Sequence, residues 1–94
     1  LHWGEGEVRV AADKIAHEGR LAPGPDYKLY LAPAFVDTRD GFLKIKDQSR
    51  RIGNVNTFNG FVVDVPAGVD VKAFTSVVVW CEAFSMFISA AKYR

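Results

Sequence analysis

The chain has 94 residues, of which 12 are basic and 11 are acidic, so its formal net charge is +1. This length suits one domain built around one hydrophobic core. A charge so close to zero creates no long-range field toward nucleic acid or anionic lipid, and we expect neither as a partner. The basic residues Lys44, Lys46, Arg50 and Arg51 are interrupted by Asp47, which favours a solvated face over a nucleic-acid site.

The single cysteine, Cys81, excludes an intrachain disulfide and any multi-cysteine zinc or iron–sulfur site. The carboxylates do not follow calcium-loop spacing, so we predict no metal site. No nucleophile signature surrounds Cys81, and we expect no catalytic triad and no enzyme activity of that kind. No apolar run reaches the ~18 residues of a membrane-spanning helix. Because the chain does not begin with methionine, we expect that it was cut from a longer precursor.

The N-terminal third predicts three short strands. Val8 and Val10 alternate with polar residues, as the first strand of a half-buried hairpin would. Residues 19–26 are rich in glycine and proline and predict a turn. The strand at residues 27–31 should end before Pro33, because proline has no amide hydrogen to donate to a sheet.

The middle of the chain predicts short elements. We expect a helical turn within residues 38–47. The dipeptide Asn59-Gly60 is typical of a primed turn, so residues 51–65 predict a β-hairpin or a close relative of one. Asp70 is placed to cap one further helical turn before the next strand.

The C-terminal stretch contains the most apolar strand of the chain. Residues 77–81, Val-Val-Val-Trp-Cys, lack polar alternation and predict a central strand that is buried on both faces. A period of two directs Cys81 and Trp80 to opposite faces. Residues 84–93 fit a helix as well as a strand, and periodicity does not decide between them. The strand alternative places these side chains on one face: Phe84, Met86, Ile88 and Ala90.

About eight strand candidates, frequent turns and at most two short helical segments predict the fold class. We expect a single all-β domain over residues 1–94, an antiparallel β-sandwich or flattened barrel.

Three stretches of the chain resemble the DM13 domain: GPDYKLYLAPAFV (24–36), NTFNGFVVDVPAGVD (56–70) and VVVWCEAFSMFISAAKYR (77–94). The resemblance covers nearly all of the chain and is strongest from Gly24 onward. It implies an all-β domain that transfers electrons outside the cytoplasm, in the periplasm or at the cell surface, together with a redox partner protein. It further implies an upstream export signal or membrane anchor, and a cysteine, here Cys81, that acts as a free thiol or as the ligand of a prosthetic group such as haem.

Several side chains are candidate neighbours of Cys81 or candidate parts of a binding surface. A turn at Glu82 would bring Met86 toward Cys81, and His17 is a further candidate ligand for haem. The aromatic candidates are Tyr27, Tyr30 and Trp80. All of these residue types also occur as ordinary core residues, and a buried cysteine is common. The alternative function is therefore a structural or protein-interaction β-sandwich without a cofactor, in which Cys81 belongs to the core.

Overall fold

The structure, a computed structural model, describes residues 4–21 and 24–94. Its strands are β1 (Gly4–Val10), β2 (Lys14–Leu21), β3 (Tyr27–Ala32), β4 (Arg50–Val55), β5 (Phe61–Asp64), β6 (Ser76–Cys81) and β7 (Met86–Lys92). Helix α1 (Arg39–Ile45) and two 3-10 turns, Lys46–Gln48 and Val71–Ala73, complete the described elements. The strands form two antiparallel sheets, in the orders β1-β2-β5 and β4-β3-β6-β7. The predicted all-β fold is confirmed, with seven strands in the described part instead of about eight.

Strand β6 is the centre of the larger sheet. It lies between β3 and β7, and all six of its residues are buried. Val77, Val79 and Cys81 pack into the core between the two sheets, whereas Val78 and Trp80 pack on the outer face of the larger sheet. The prediction of a central strand whose cysteine and tryptophan point apart is confirmed.

The C-terminal segment is a strand, which resolves the choice between helix and strand. The pairing of β6 with β7 shifts register beside Trp80, and Ile88 is the extra residue of a β-bulge. Met86 and Ile88 pack in the core between the sheets, while Phe87 and Ala90 pack in the outer cluster. The bulge therefore moves Ala90 away from the face that strict alternation predicts.

The predicted hairpin over residues 51–65 is wrong. Strand β4 pairs with β3, and strand β5 pairs with β2 in the other sheet. The two strands instead face each other across the core, where a Cβ on Gly53 would lie 3.0 Å from Cγ1 of Val63. The Asn-Gly dipeptide supplies a residue with positive φ, at Gly60, but it does not determine which sheet the next strand joins.

Both predicted helical turns are present, and side chains cap both. Thr38 accepts a hydrogen bond from the amide of Gly41 at the start of α1, and Asp70 accepts one from the amide of Lys72. Helix α1 places Phe42, which is fully buried, on the outer face of the larger sheet. The larger sheet is therefore covered on both faces near Trp80 and Cys81.

Candidate functional site

Cys81 lies in a row of inward-facing side chains that crosses the four strands of the larger sheet. The register places Tyr27 of β3 and Met86 of β7 directly beside it, and Val55 of β4 beyond Tyr27. Directly paired residues share a face of the sheet, so the thiol lies between a phenol ring and a thioether. The chain reverses over residues 82–85, and this turn brings Met86 beside Cys81.

The thiol is buried beneath a single loop. Cys81 is 2% exposed, and its Sγ donates a hydrogen bond to the carbonyl oxygen of Pro25 at 3.0 Å. The next amide, that of Glu82, donates to the carbonyl oxygen of Asp26 at 3.1 Å. Pro25 and Asp26 are themselves exposed. The loop at Pro25 and Asp26 therefore forms part of the cover between the sulfur and solvent.

An aromatic pair closes the site on the side of β3. The Tyr27 ring packs edge-on against Phe58, with ring centroids 5.5 Å apart. A Cβ on Gly24 would lie 2.6 Å from the Tyr27 hydroxyl, so this phenol is in close contact with the loop backbone. Burial, followed by the nearby Cys81, raises the pKa of Tyr27 above its ordinary value. Tyr27 is therefore a neutral phenol beside Cys81 at neutral pH.

The other two aromatic candidates, Tyr30 and Trp80, lie on the outer face and do not contact the thiol side of the sheet. They form a cluster with Phe42 of helix α1. The ring centroids of Tyr30 and Phe42 are 5.1 Å apart, and those of Phe42 and Trp80 are 4.9 Å apart. Trp80 is fully buried, so this cluster is a second small core and not an open aromatic surface.

A polar group borders this outer cluster. The Tyr30 hydroxyl donates a hydrogen bond to Oε1 of Glu82, and Nζ of Lys46 lies 3.1 Å from Oε2 of the same carboxylate. Nζ of Lys46 also lies 5.5 Å from the centroid of the Trp80 ring. The side chains of Lys46 and Glu82 are 29% and 22% exposed, so the assignment of Lys46 to a solvated basic face is wrong. We call Tyr30, Glu82 and Lys46 the outer site.

The outer site sets the charges of its members. Burial, strengthened by the hydrogen bond to Glu82, raises the pKa of Tyr30 from 10.0 to about 12. Burial acts to raise the pKa of Glu82, but the hydrogen bonds from Tyr30 and Lys46 outweigh it, and the pKa falls below its ordinary value. At neutral pH the site therefore holds a neutral phenol, a carboxylate and an ammonium group.

The raised pKa of Tyr30 predicts a loss of stability at alkaline pH. Because the folded state favours the neutral phenol, this stabilisation is complete below pH 10.0 and is lost as the pH rises through about 12. The unfolding free energy of the protein should fall over this window by up to about 2–3 kcal/mol more than that of Tyr30→Phe. Urea unfolding of both proteins at a series of alkaline pH values measures the difference. A constant difference across the window would contradict the assignment.

His17 lies elsewhere, in the space between the two sheets. It stacks on Phe61 of β5, with ring centroids 5.1 Å apart, and is 7% exposed. Together with Val77, Val79 and other apolar side chains it lines a cavity of about 70 Å³. Cys81 does not line this cavity, so the structure does not bring the imidazole and the thiol together at one site.

The residues around Cys81 do not fit a haem. The sulfur is engaged with Pro25, and its direct neighbours in the sheet are the packed side chains of Tyr27 and Met86. The cavity of about 70 Å³ beside His17 is far smaller than the roughly 300–1,000 Å³ of typical ligand pockets. A haem bound through Cys81 would require this end of the sandwich to open.

A metal-binding cluster and a membrane-spanning helix are both absent from residues 4–21 and 24–94, the part of the chain that the structure describes. No group of three or more histidine, cysteine, aspartate or glutamate side chains there is placed to hold a metal ion. No helix in the same ranges has the length and apolar character needed to cross a membrane.

The sequence alone did not identify the outer site. In the sequence, Glu82 marks only a turn between Cys81 and Met86, but in the structure its carboxylate accepts hydrogen bonds from Tyr30 and Lys46 at the outer face. Alternation within β3 was the available signal, since it separates Tyr30 from Tyr27, but only the pairing of Tyr30 with Val78 puts its ring on the face of Trp80. Nothing in the sequence indicated that Lys46 would reach this face.

The comparisons with known proteins agree with the resemblance seen in the sequence. The family model described as "Electron transfer DM13" matches residues 1–93. No curated protein and no solved structure matches the chain significantly.

Proposed function

Since the chain belongs to the DM13 electron-transfer family, we propose that it is an extracytoplasmic electron-transfer module whose redox group is the free thiol of Cys81. The contact of the sulfur with an exposed loop is the observation that carries this proposal. The Sγ donates to Pro25, and Pro25 and Asp26 are exposed on their outer side. Movement of this one loop would expose the thiol without unfolding the two sheets.

The chemistry available to such a thiol is exchange with a disulfide of a redox partner protein. The Cys81 proton goes to solvent, and the thiolate attacks one sulfur of the partner's disulfide. A new disulfide forms between the two proteins, and the second partner sulfur leaves as a thiolate. Cys81 is thereby oxidised and the partner is reduced. The loop at Pro25 must move aside for this step, because a buried sulfur cannot approach the partner's disulfide in line with the bond that breaks.

The burial of Cys81 supports a second candidate function. A cysteine that is 2% exposed and packed between Tyr27 and Met86 has the surroundings of an ordinary core residue. In that case the domain is a structural or protein-interaction β-sandwich. Its partner would bind at a loop or a sheet face, and Cys81 would take no part.

Thiol labelling separates these two functions. If the loop at Pro25 opens locally, DTNB should react with the native protein much faster than the protein unfolds globally. The rate should also depend only weakly on urea, because a local opening exposes little surface. The measurement compares the labelling rate with the global unfolding rate over a range of urea concentrations, and Cys81→Ser supplies the unlabelled control. Labelling that occurs only at the rate of global unfolding would sink the redox proposal in favour of the interaction domain.

The remaining parts of the proposal have separate tests. Haem added to the native protein should give no Soret band that depends on Cys81, and a band that disappears in Cys81→Ser would replace the free thiol by a haem ligand. The location outside the cytoplasm is tested by fractionating cells that express the full-length protein. Recovery in the cytoplasmic fraction contradicts that location.

A further inference from the structure

The hydroxyls of Tyr30 and Tyr93 both donate a hydrogen bond, but one acceptor is a carboxylate and the other is a backbone carbonyl. Tyr93 donates its hydrogen bond to a backbone carbonyl oxygen, that of Val71, at 2.6 Å. A carbonyl oxygen of this kind is too weakly basic to take the phenol's proton. Tyr30 donates to the carboxylate of Glu82, which is a proton acceptor as well as a hydrogen-bond acceptor. The phenol and its base are therefore already in contact.

This pairing matters because a phenol that loses an electron becomes a very strong acid. Its oxidation becomes accessible near neutral pH only when the proton can leave together with the electron. We propose that Tyr30 is a one-electron redox site in which Glu82 serves as the proton acceptor. A one-electron oxidant takes one electron from the Tyr30 ring, the phenolic proton moves to Oε1 of Glu82, and a neutral tyrosyl radical and a neutral carboxyl group remain. Reduction of the radical returns the proton to Tyr30.

The surroundings of the outer site suit such a reaction. The Tyr30 ring packs against Phe42, with centroids 5.1 Å apart, and is 6% exposed, so a radical there would be shielded from solvent. The side chain of Glu82 is 22% exposed, which leaves its carboxyl group a route for proton exchange with water. Lys46 holds the carboxylate in place, with Nζ 3.1 Å from Oε2.

The site is independent of the thiol. Tyr30 lies on the outer face of the larger sheet, and Cys81 lies on the inner face. The inference therefore goes beyond the proposed function and does not rest on it. If both hold, the larger sheet has two redox groups: the Cys81 thiol on its inner face, which exchanges with a disulfide, and the Tyr30 phenol on its outer face, which gives up one electron and one proton.

The test uses a photogenerated ruthenium(III) polypyridyl complex as the oxidant and detects the tyrosyl radical by its absorption and its electron paramagnetic resonance spectrum. The unchanged protein should form a radical that Tyr30→Phe loses and that the matched variant Tyr93→Phe retains. Glu82→Gln preserves the shape of the acceptor but cannot take the proton. It should slow Tyr30 oxidation by roughly 10²-fold, a size typical of a positioned proton acceptor.

Two further measurements guard against a purely structural effect of these variants. The oxidation rate of the unchanged protein should be constant near neutral pH and should fall only when Glu82 becomes protonated. Because the pKa of Glu82 is lowered, this fall should occur at a pH below the usual range of a carboxyl group. Incorporation of a fluorinated tyrosine at position 30, which keeps the hydrogen bond, should alter the hyperfine pattern of the radical. The same radical in Cys81→Ser would show that this site functions without the thiol. An unchanged radical in Tyr30→Phe, or an unchanged rate in Glu82→Gln, overturns the proposal.

Discussion

Replacement of Trp80 by alanine should lower the unfolding free energy by about 3–5 kcal/mol, the usual loss for a large buried aromatic residue. Trp80 is fully buried in the central strand, between Phe42 of helix α1 and the larger sheet. Its loss would leave a cavity under α1 and remove the support of the Tyr30 ring. Because small domains have about 5–15 kcal/mol of stability in total, this single change should bring the protein close to unfolding.

Urea unfolding measures the effect, and Phe84→Ala is the matched control. Phe84 is also aromatic and lies four residues further along the chain, but it is 63% exposed in the turn between β6 and β7. Its replacement should change stability by no more than about 0.5 kcal/mol. If Trp80→Ala does not fold, Trp80→Phe still tests the assignment with a smaller loss. That variant also removes the indole N–H, which has no hydrogen-bond partner in the described part of the chain. Equal effects of Trp80→Ala and Phe84→Ala would contradict the described packing.

Replacement of Gly60 by alanine should destabilise the protein for two reasons that act together. Gly60 has φ +111, a conformation that an L side chain rarely adopts, and this strain costs on the order of 1–3 kcal/mol. A Cβ at this position would also lie 2.8 Å from the carbonyl oxygen of His17. That oxygen belongs to the backbone of β2 and cannot rotate away, so the sheet must shift, which adds roughly another 1–3 kcal/mol.

Gly68→Ala separates the two causes. Gly68 also has a positive φ, +88, but a Cβ there would meet no atom within 4 Å. We expect this variant to show the backbone strain alone and Gly60→Ala to lose distinctly more stability in urea unfolding. If the two variants are equally stable, β5 does not approach β2 as closely as the structure indicates. Because Gly60 leads into β5, this experiment also tests the crossing between the sheets that the sequence alone did not predict.

The sequence by itself determined the local character of the chain. The uninterrupted apolar run before Cys81 predicted a central strand, and its period of two separated the thiol from Trp80. These properties depend on residues adjacent in the chain, since side-chain alternation and burial on both faces act within one strand. The predicted cap at Asp70 belongs to the same class, because its hydrogen bond spans only two residues. The three long stretches that resemble the DM13 domain also sufficed to identify the family.

Only the tertiary structure decided which distant groups meet. Cys81 and Pro25 are 56 positions apart, Tyr30 and Glu82 are 52, and Lys46 and Glu82 are 36. Their contacts depend on the order of strands in the larger sheet and on the seating of helix α1, which no local pattern encodes. The crossing of residues 56–60 from one sheet to the other is likewise a matter of tertiary pairing. The central strand β6 and its two faces were therefore predictable from the sequence, whereas the contact of the loop with the thiol and the outer site exist only because the two sheets and the helix pack together.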